Sequence, residues 1–457
     1  MVSKPMRFID LFAGLGGFHL ALGELGHRCV FASEIDEALR RLYEINFGMP
    51  CAGDIRNIEA RSVPPHEILC AGFPCQPWSK AGTQSGLKYP ELGDLYKQIL
   101  RLIAYHRPRY LILENVPNLE HHGNGRSWQT LRGLLEKEGY NVAIETISPH
   151  EYGIPQIRSR IYIVGSREPL DSFTSRLWSG RKHKLVPLRS FLEVTPLDAR
   201  PIPQYVKERL QAWQEFMDLV PKDEKFPHPL WAMEADATYP FEQATPTSTP
   251  LEDLRKYRGS FGQRLSIGKT KPEIFELLPS HARRPQKKFD GWKVDFIRKN
   301  REFFRDHASL LRDWIKKVKL FPPSFQKFEW NCRELDPSKE DRRLSRYVIQ
   351  VRPSGVRVKR QTTIPSLVAM TMTQVPIIMW ENRYMTPTEG KLLQSMEGIR
   401  HLPEPASKAY EALGNAVNVR VAGRVAKALI GQASSTTETA VREHGTLLQP
   451  TLTVPMA

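Results

Sequence analysis

The chain has 457 residues, of which 40% are hydrophobic and 25% are charged, as in ordinary globular proteins. Lysine and arginine number 66 against 50 acidic residues, which gives a formal net charge of +16. Nothing reads as a membrane-spanning segment, so the positive charge favours nucleic acid over a membrane as partner. The five cysteines lack Cys-x-x-Cys metal spacing, and the first residues lack a signal-peptide core. We therefore predict a cytoplasmic protein with reduced thiols and no metal site.

Short apolar strands alternate with amphipathic helices over the first 165 residues. The predicted strands are Arg7–Phe12, Cys29–Ser33, Ile68–Ala71, Tyr110–Glu114, Val142–Ser148 and Arg160–Gly165. The predicted helices are Phe18–Leu25, Glu37–Asn46, Leu95–Ala104 and Trp128–Glu138. This alternation predicts an α/β fold built on a doubly wound, mostly parallel sheet.

The pattern changes after Pro169, and residues 170–380 are proline-rich with few strand–helix units. They predict a second, smaller and irregular domain, in which one helix over Asn300–Lys319 stands out by its spacing of apolar residues. The window His281–Leu320 holds 13 Lys and Arg against 5 Asp and Glu. A solvated helix face and a phosphate-binding surface explain that excess equally well.

The last part of the chain contains two further helix signals and a tail. Thr386 and Glu389 have the spacing of a capping box, which predicts that a helix begins there. Gly414-Asn415-Ala416-Val417 leads into a helix that runs to about Ile430. Residues 432–457 are rich in Ser and Thr and have no periodicity, so we expect a disordered tail.

Candidate cofactor residues follow the predicted strands, because ligands of doubly wound sheets bind beyond the carboxyl ends of the strands. The glycines of the Phe12–Gly17 loop allow close backbone approach, and Glu34 ends the second strand where a carboxylate can hold ribose hydroxyls. Asp54, in a third turn, can accept a hydrogen bond from an adenine amino group. Each feature alone also fits a simple tight turn or a surface carboxylate.

Cys75 and Glu114 follow two strands that we expect to be neighbours, so both can reach one planar substrate. Cytosine C5 accepts a methyl group only after a thiolate adds to C6 and a carboxylic acid acts on N3. Arg158 and Arg160 can hold the base oxygen and a phosphate, and nearby cations lower the pKa of a thiol. Taken singly, Cys75 fits a structural cysteine and Glu114 fits a carboxylate paired with an arginine.

These motifs, in this order, resemble the signatures of the cytosine-C5 DNA methyltransferases. The matching segments are Phe8 to Phe18, Gly72-Phe73-Pro74-Cys75-Gln76-Pro77-Trp78-Ser79, Glu114-Asn115-Val116, Tyr152 to Arg160 and Gly414-Asn415-Ala416-Val417. The resemblance implies a Rossmann-like catalytic and cofactor-binding domain over 1–170, completed by 383–431. It implies a target-recognition region over 171–382, followed by the tail 432–457.

The resemblance also assigns roles to individual residues. Cys75 would be the nucleophile, Glu114 the group acting on cytosine N3, and Arg158 and Arg160 contacts to the flipped base and its backbone. Gln76 and Ser79 would lie on a loop that closes over the DNA. S-adenosylmethionine would be bound by Phe12, Gly14, Leu15, Gly17, Glu34, Ile35, Asp54, Ile55, Pro74, Leu95 and Asn415.

 In this set, Leu95 is the residue at which the predicted helix Leu95–Ala104 begins.

Recognition of duplex DNA requires a further element, because a base inside the stack must be swung out at a cost of a few kcal/mol. The segment Arg352 to Arg360 is our candidate for a major-groove element, since arginine reads guanine edges bidentately. Its candidate DNA contacts are Arg352, Arg357, Lys359 and Arg360. A strand that contacts only phosphates explains the same residues equally well.

The sequence therefore predicts a sequence-specific DNA cytosine-5 methyltransferase that protects DNA in a bacterial restriction-modification system. Its partners would be double-stranded DNA and a restriction endonuclease acting separately, and we expect a monomer. An RNA-modifying relative is disfavoured by the recognition region of about 200 residues, which looks longer than in those relatives. A non-catalytic DNA-binding module is disfavoured by the presence of Cys75, Glu114 and Arg160 together. An amino-methyltransferase is disfavoured because its Pro-Pro-aromatic tetrapeptide does not occur in the chain.

Overall fold

The computed structural model describes residues 4–74, 90–179, 181, 184–334, 339–367 and 372–431. Within those ranges, no helix has both the length and the apolar character needed to cross a membrane.

The first part of the chain forms a six-stranded mixed sheet with helices packed against it. Its strands and a short neighbouring strand are β1 (Arg7–Leu11), β2 (Arg28–Ser33), β3 (Ile68–Gly72), β4 (Tyr110–Asn115), β5 (Asn141–Ile147), β6 (Gln156–Ile157) and β7 (Arg160–Ser166). The helices are α1 (Gly17–Gly23), α2 (Glu37–Phe47), α3 (Pro90–His106), α4 (Asn118–His121), α5 (Arg126–Lys137) and α6 (Phe173–Trp178). The six predicted strands and four predicted helices of this region are confirmed, although α3 begins earlier than expected.

The strand order of this sheet is β2-β1-β3-β4-β7-β5. β1 pairs in parallel with β2 and β3, and β3 pairs in parallel with β4. β7 is antiparallel to both of its neighbours, β4 and β5. The start of β7 therefore lies at the same edge of the sheet as the carboxyl ends of the parallel strands.

Both faces of the sheet are buried, which explains why its strands read as continuous apolar runs. In β4, Ile112 belongs to one hydrophobic cluster, whereas Leu111 and Leu113 belong to the other. The first cluster includes residues of α1 and α6, and the second includes residues of α3 and α5.

The region that was predicted to be irregular contains a second six-stranded sheet, so that expectation was wrong. Its strands are β8 (Leu230–Trp231), β9 (Lys327–Trp330), β10 (Val348–Arg352), β11 (Gly355–Lys359), β13 (Ile377–Ile378) and β14 (Arg383–Tyr384), and β12 (Ile364–Pro365) pairs with β6. The strand order is β14-β13-β10-β11-β9-β8. Several strands have only two residues, which is too short for alternation of polar and apolar residues to be recognised.

Helices cover one face of this second sheet. The helices of this part of the chain include α7 (Gln204–Leu219), α8 (Leu251–Leu254), α9 (Lys271–Glu276), α10 (Gly291–Asp306) and α11 (Ala308–Val318). Of these, α7 and α11 pack over the sheet, whereas buried residues of α8 and α9 belong to a separate small cluster. From α7, Trp213 stacks on Phe328 of β9 with 4.6 Å between ring centroids, and it also contacts Trp314 of α11. Residues of this layer belong to the same hydrophobic cluster as one face of the first sheet, so the two sheets share a continuous core.

The single helix predicted over Asn300–Lys319 is two helices, α10 and α11, with a break at His307. His307 has φ −112° and ψ 20°, and its Nδ1 lies 2.9 Å from the carbonyl oxygen of Phe303. The apolar spacing continues across the break, so periodicity alone did not reveal it. Residues 232–297, which we call the insertion lobe, have a small hydrophobic cluster of their own around Tyr239 and Ile274.

The C-terminal segment returns to the first sheet through α12 (Pro387–Leu393), α13 (Ala406–Asn415) and α14 (Val419–Ile430). The capping box of Thr386 and Glu389 is present as predicted, and so is the helix that ends at Ile430. The α14 helix packs against α1 and α6. The predicted tail 432–457 lies outside the described residues.

Candidate functional site

The glycine loop between β1 and α1 turns sharply at the carboxyl edge of the first sheet. Phe12, Gly14 and Gly16 have φ angles of 56°, 53° and 79°, a region that favours glycine. A Cβ atom on Gly17 would lie 2.5 Å from the carbonyl oxygen of Val417, so only glycine fits there. The loop thus places the start of α1 directly against the C-terminal segment.

Glu34 closes this loop from the end of β2. Its carboxylate accepts hydrogen bonds from the backbone N–H of Gly14 at 2.9 Å and from that of Asp36 at 3.0 Å. The adjacent Ile35 is 63% exposed, so it presents an apolar surface to the solvent. In the next turn, Asp54 accepts hydrogen bonds from Arg56, which lowers the pKa of its carboxyl.

The other predicted cofactor residues are distributed unequally around this edge. Leu15 is 3% exposed and belongs to the first hydrophobic cluster, and Ile55 is 2% exposed and belongs to the second. Both side chains therefore pack into the core. Leu95 is partly buried against the second cluster. Asn415 is exposed at the end of α13. Pro74 is the last described residue before the stretch 75–89, which the structure does not describe.

Glu114 lies near the end of β4, opposite Gly72 of β3 and Tyr162 of β7. It is only 7% exposed, and its Oε1 lies 3.0 Å from Nε of Arg160. Burial raises the pKa of the Glu114 carboxyl, while Arg160 and Arg158 act in the opposite direction. A carboxyl group in this environment retains its proton to higher pH than a solvated glutamate.

Arg158 is placed differently from Arg160, and its surroundings do not match the expected contact with a base. It is 3% exposed. Its Nη2 donates to the carbonyl oxygens of Gly414 at 2.7 Å and Ala416 at 3.1 Å, and its Nη1 donates to Ser366 Oγ and to the carbonyl oxygen of Leu367. Arg158 therefore joins three segments of the chain below the site, whereas Arg160 reaches its open side with 22% of its side chain exposed.

Asn115 has a positioning role that the sequence reasoning did not assign. It is 1% exposed, its Nδ2 donates to the carbonyl oxygen of Phe73 at 3.1 Å, and its Oδ1 accepts from the N–H of Val116 at 2.8 Å. The side chain thereby fixes the turn that leaves β3 relative to the end of β4. Its place in the Glu114-Asn115-Val116 triplet was the available signal.

The remaining catalytic-loop residues, Cys75, Gln76 and Ser79, lie outside the described residues. Cys29, Cys51, Cys70 and Cys332 are free cysteines, and burial raises the pKa of each of these thiols. None of these four is therefore poised to act as a thiolate. The described residues contain no group of three or more His, Cys, Asp or Glu arranged to hold a metal ion.

The four candidate DNA contacts lie on or beside the β10–β11 hairpin, in the middle of the second sheet. Arg357 pairs with Glu329 through Nε at 2.7 Å and Nη2 at 3.1 Å. Arg360 donates through Nη2 to the carbonyl oxygens of Cys332 and Arg333 and to Glu334.

The other two candidates are partly buried on the same hairpin. Arg352 donates to Gln350 Oε1 at 2.6 Å, and burial followed by the proximity of Arg357 lowers its pKa to about 10. Burial and Arg357 also lower the pKa of Lys359. The structure therefore brings Arg352, Arg357 and Lys359 together on one polar face.

Known proteins match this chain over most of its length. Residues 6–431 match the model of a family described as C-5 cytosine-specific DNA methylase. The chain is 29% identical over 497 aligned positions to the Type II methyltransferase M.AluI of Cellulosimicrobium cellulans, covering 92% of this chain and 91% of that protein.

Other relatives match a smaller part of the chain. The Type II methyltransferase M.DsaV of Dactylococcopsis salina is 45% identical over 168 residues, covering 37% of this chain and 48% of that protein. The chain thus spans about half the length of that relative. Among solved structures, the S. pombe Dnmt2 methyltransferase gives a TM-score of 0.49 at 15% identity, covering 94% of this chain and 99% of that one.

Proposed function

Because the chain belongs to the C-5 cytosine-specific DNA methylase family, we propose that it methylates C5 of a cytosine within a specific sequence of duplex DNA. The observation that carries this proposal is the buried Glu114 carboxyl beside Arg160, at the sheet edge that also holds the glycine loop. A carboxyl group whose pKa is raised by burial and a cation at one sheet edge suit a substrate with a ring nitrogen beside a carbonyl oxygen, as in cytosine.

Members of this family use S-adenosylmethionine as methyl donor, and the residues at the sheet edge fit it. The Glu34 carboxylate has lone pairs left for ribose hydroxyls after accepting two backbone N–H groups. The exposed side chain of Ile35 offers an apolar surface for a purine, and Asp54 can accept from its amino group. When bound there, the cofactor supplies an electrophilic methyl group on a sulfonium.

The chemistry that we propose for the chain's residues follows from the electronic demand of cytosine. The Cys75 thiolate forms a bond to C6 while Glu114 supplies a hydrogen bond or proton to N3, and the displaced π electrons make C5 nucleophilic. After methyl transfer to C5, loss of the C5 proton expels the thiolate and restores the ring double bond. Arg160 binds the base oxygen and holds the Glu114 carboxyl in place.

We propose that residues 171–382 recognise the target and that the rest of the described chain forms a doubly wound catalytic domain. Arg357 supports this assignment, because Glu329 holds one edge of its guanidinium and leaves Nη1 unbonded among the described residues. An arginine fixed in this way can donate to guanine O6 and N7 without first being ordered. Arg352 and Lys359 flank Arg357 on the same face of the hairpin. In the catalytic domain, we assign Arg158 the role of positioning the Gly414–Ala416 segment and not of contacting the base.

Labelled S-adenosylmethionine tests the function directly. We expect label to enter duplex DNA and not tRNA, and a substrate carrying 5-fluorocytosine to form a covalent adduct at Cys75. Cys75→Ser should abolish transfer, and Glu114→Gln should lower kcat by about 10²-fold or more. Label in tRNA alone, or an adduct at another cysteine, would overturn the proposal.

The relatives named Type II methyltransferases suggest a role in restriction-modification. We propose that the chain acts as a monomer and protects DNA from an endonuclease that acts separately. Bisulfite sequencing of DNA from cells that express the chain would identify the methylated sequence. Digestion of that DNA with endonucleases that cut the same sequence would then test protection.

A further inference from the structure

Lys327 is a buried lysine on the polar face of the second sheet. It is 8% exposed, and its Nζ makes no hydrogen bond or ion pair within the described part of the chain. The Nζ atom itself remains partly accessible to solvent. The ammonium group therefore reaches the surface, while the aliphatic part of the side chain is buried. A lysine of this kind has lost part of its hydration without gaining an anion.

The neighbours of Lys327 show that it lies at the seam between the second sheet and the insertion lobe. Across the strand pair β8–β9 it faces Trp231, which stacks on His281 of the lobe with 3.9 Å between ring centroids. On the other side it lies beside Gly355, where a Cβ would come within 2.7 Å of the Lys327 Cβ. The stem therefore runs between a tryptophan and the turn of the β10–β11 hairpin.

Further positive charges converge on this seam from the lobe. Arg283 and Lys293 both act electrostatically on Lys327, and the exposed Arg284 acts on Lys293. Lys293 is also 8% exposed, and its Nζ donates to the carbonyl oxygen of His281 and to Gln286 Oε1, both uncharged acceptors.

Two carboxylates act electrostatically on this cluster, Asp290 on Lys293 and Glu329 on Lys327, but neither forms an ion pair with these lysines among the described residues. Glu329, which lies on the same strand as Lys327, accepts hydrogen bonds from Nε and Nη2 of Arg357. Arg283 pairs with Glu276 at 2.7 Å, but Lys327 has no such partner among the described residues. The seam therefore carries a local excess of positive charge on a fixed scaffold.

We propose that Lys327, Lys293 and Arg284 form a phosphate-binding site that holds one backbone phosphate of the DNA against the seam. This inference rests on the proposed function, because it takes duplex DNA as the substrate. The bound phosphate would give Lys327 the anion that it lacks and would fix the register of the duplex against the β10–β11 hairpin. Phosphate contacts of this kind position a protein on DNA without reading its sequence.

The test measures duplex affinity as a function of salt for Lys327→Gln and for a matched control. We expect Lys327→Gln to weaken binding about tenfold at ~0.15 M salt and to lower the salt slope by about 0.9. The loss should be equal for target and non-target duplexes, and KM for DNA should rise more than kcat falls. Lys316→Gln removes the same charge from α11, on the opposite face of the second sheet, and should change neither quantity.

A charge-preserving variant gives a second readout. Burial and the cations Arg283 and Lys293 lower the pKa of Lys327 to about 8, while Glu329 acts against them. Wild-type affinity should therefore fall as the pH rises from 7 to 9, since the lysine loses its proton. Lys327→Arg should bind as tightly at pH 7 and lose this pH dependence, because arginine stays charged. This comparison decides the matter even if Lys327→Gln does not fold.

The outcomes separate this inference from the proposed function. If the wild type methylates DNA but Lys327→Gln matches Lys316→Gln in salt slope, the phosphate site is wrong and the function stands. If Lys327→Gln lowers the slope while no DNA is methylated, the site stands and the function is wrong. If the wild type does not bind duplex DNA, both are overturned.

Discussion

Arg158 and Arg160 lie two residues apart in one motif, and the structure predicts opposite consequences for their loss. The Arg158 guanidinium donates to Gly414 and Ala416 at 2.7 and 3.1 Å, and to Ser366 and Leu367 at 3.2 and 3.3 Å. Arg158→Met keeps most of the apolar stem but removes all four bonds. We expect this variant to fold less stably and to bind the cofactor more weakly, because Asn415 lies between the two shortest contacts.

The magnitude follows from the two short bonds and the carbonyl groups left behind. A hydrogen bond to a charged donor contributes about 1.5–3 kcal/mol, and each stranded buried carbonyl costs about 1–3 kcal/mol. Relief of the buried charge offsets part of that sum, so we expect a net loss of about 3–5 kcal/mol. With an unfolding entropy of about 2.1 cal/mol/K per residue, a loss of this size should lower Tm by roughly 3–5 °C in a chain of this length.

Differential scanning fluorimetry and calorimetric titration with S-adenosylmethionine measure both effects, and hydrogen exchange locates them. The amides of Ala416 and Asn418 should exchange faster in Arg158→Met. The matched control is Arg160→Met, since within the described part of the chain the Arg160 side chain pairs with Glu114, donates to the Ser159 carbonyl oxygen and is partly exposed. That variant should retain Tm and cofactor affinity and lose kcat.

A reversal of this pattern would refute the reasoning. If Arg158→Met kept its Tm and cofactor affinity and lost only kcat, Arg158 would contact the substrate, as the sequence motif alone implies. If both variants lost stability equally, the distinction between a buried arginine and a site-facing one would fail.

Two further predictions concern other parts of the chain. Glu234→Gln should destabilise the insertion lobe by about 3 kcal/mol, because the buried carboxylate accepts from Arg301 and Tyr239 and contacts His281. The pKa of Glu234 is lowered from 4.5, so this stabilisation is present above that pH and is lost as the pH falls. The difference in unfolding free energy between the wild type and Glu234→Gln, measured with urea, should therefore be smaller at pH 3 than at pH 7. Gly17→Ala should weaken cofactor binding at least tenfold, since the new Cβ would lie 2.5 Å from the Val417 carbonyl oxygen. Gly23→Ala is the control, because a Cβ there would meet no atom within 4 Å.

The strands of the first sheet could be predicted because each one is buried on both faces. Such strands read as short apolar runs between turn residues, and their helices carry a clear 3.6-residue period. The second sheet offered no comparable signal. Its edge strands have two residues each. Its central strands alternate polar residues such as Gln350 and Arg357 with valines, but proline-rich segments without clear strand–helix units surround them in the sequence.

The site could be predicted as a set of residue types but not as a set of contacts. The ends of β3 and β4 bring Gly72 beside Glu114, as the parallel order implied. Arg160 reaches the same edge because β7 is antiparallel and begins there, a direction that the strand pattern did not give. The four hydrogen bonds of the Arg158 guanidinium described above reach residues more than 200 positions away in the sequence, and three of their acceptors are backbone carbonyl groups, which carry no sequence signal.

The contacts that each basic residue makes within the protein determine what it can contribute to DNA binding. A cation that already has an internal partner must give up that interaction to bind a phosphate, so its net contribution to affinity is small. Arg360 is of this kind, with its Nη2 shared among Cys332, Arg333 and Glu334. Among the residues that the structure describes, Lys327 has no hydrogen bond or ion pair to give up, so a phosphate that reaches it gains the full charge-assisted bond. Arg357 lies between these cases, because Glu329 holds one edge and leaves the other free to discriminate between bases. We therefore expect affinity to come chiefly from Lys327 and the neighbouring cations at the seam between the second sheet and the insertion lobe. Specificity should come from Arg357, which Glu329 holds in place.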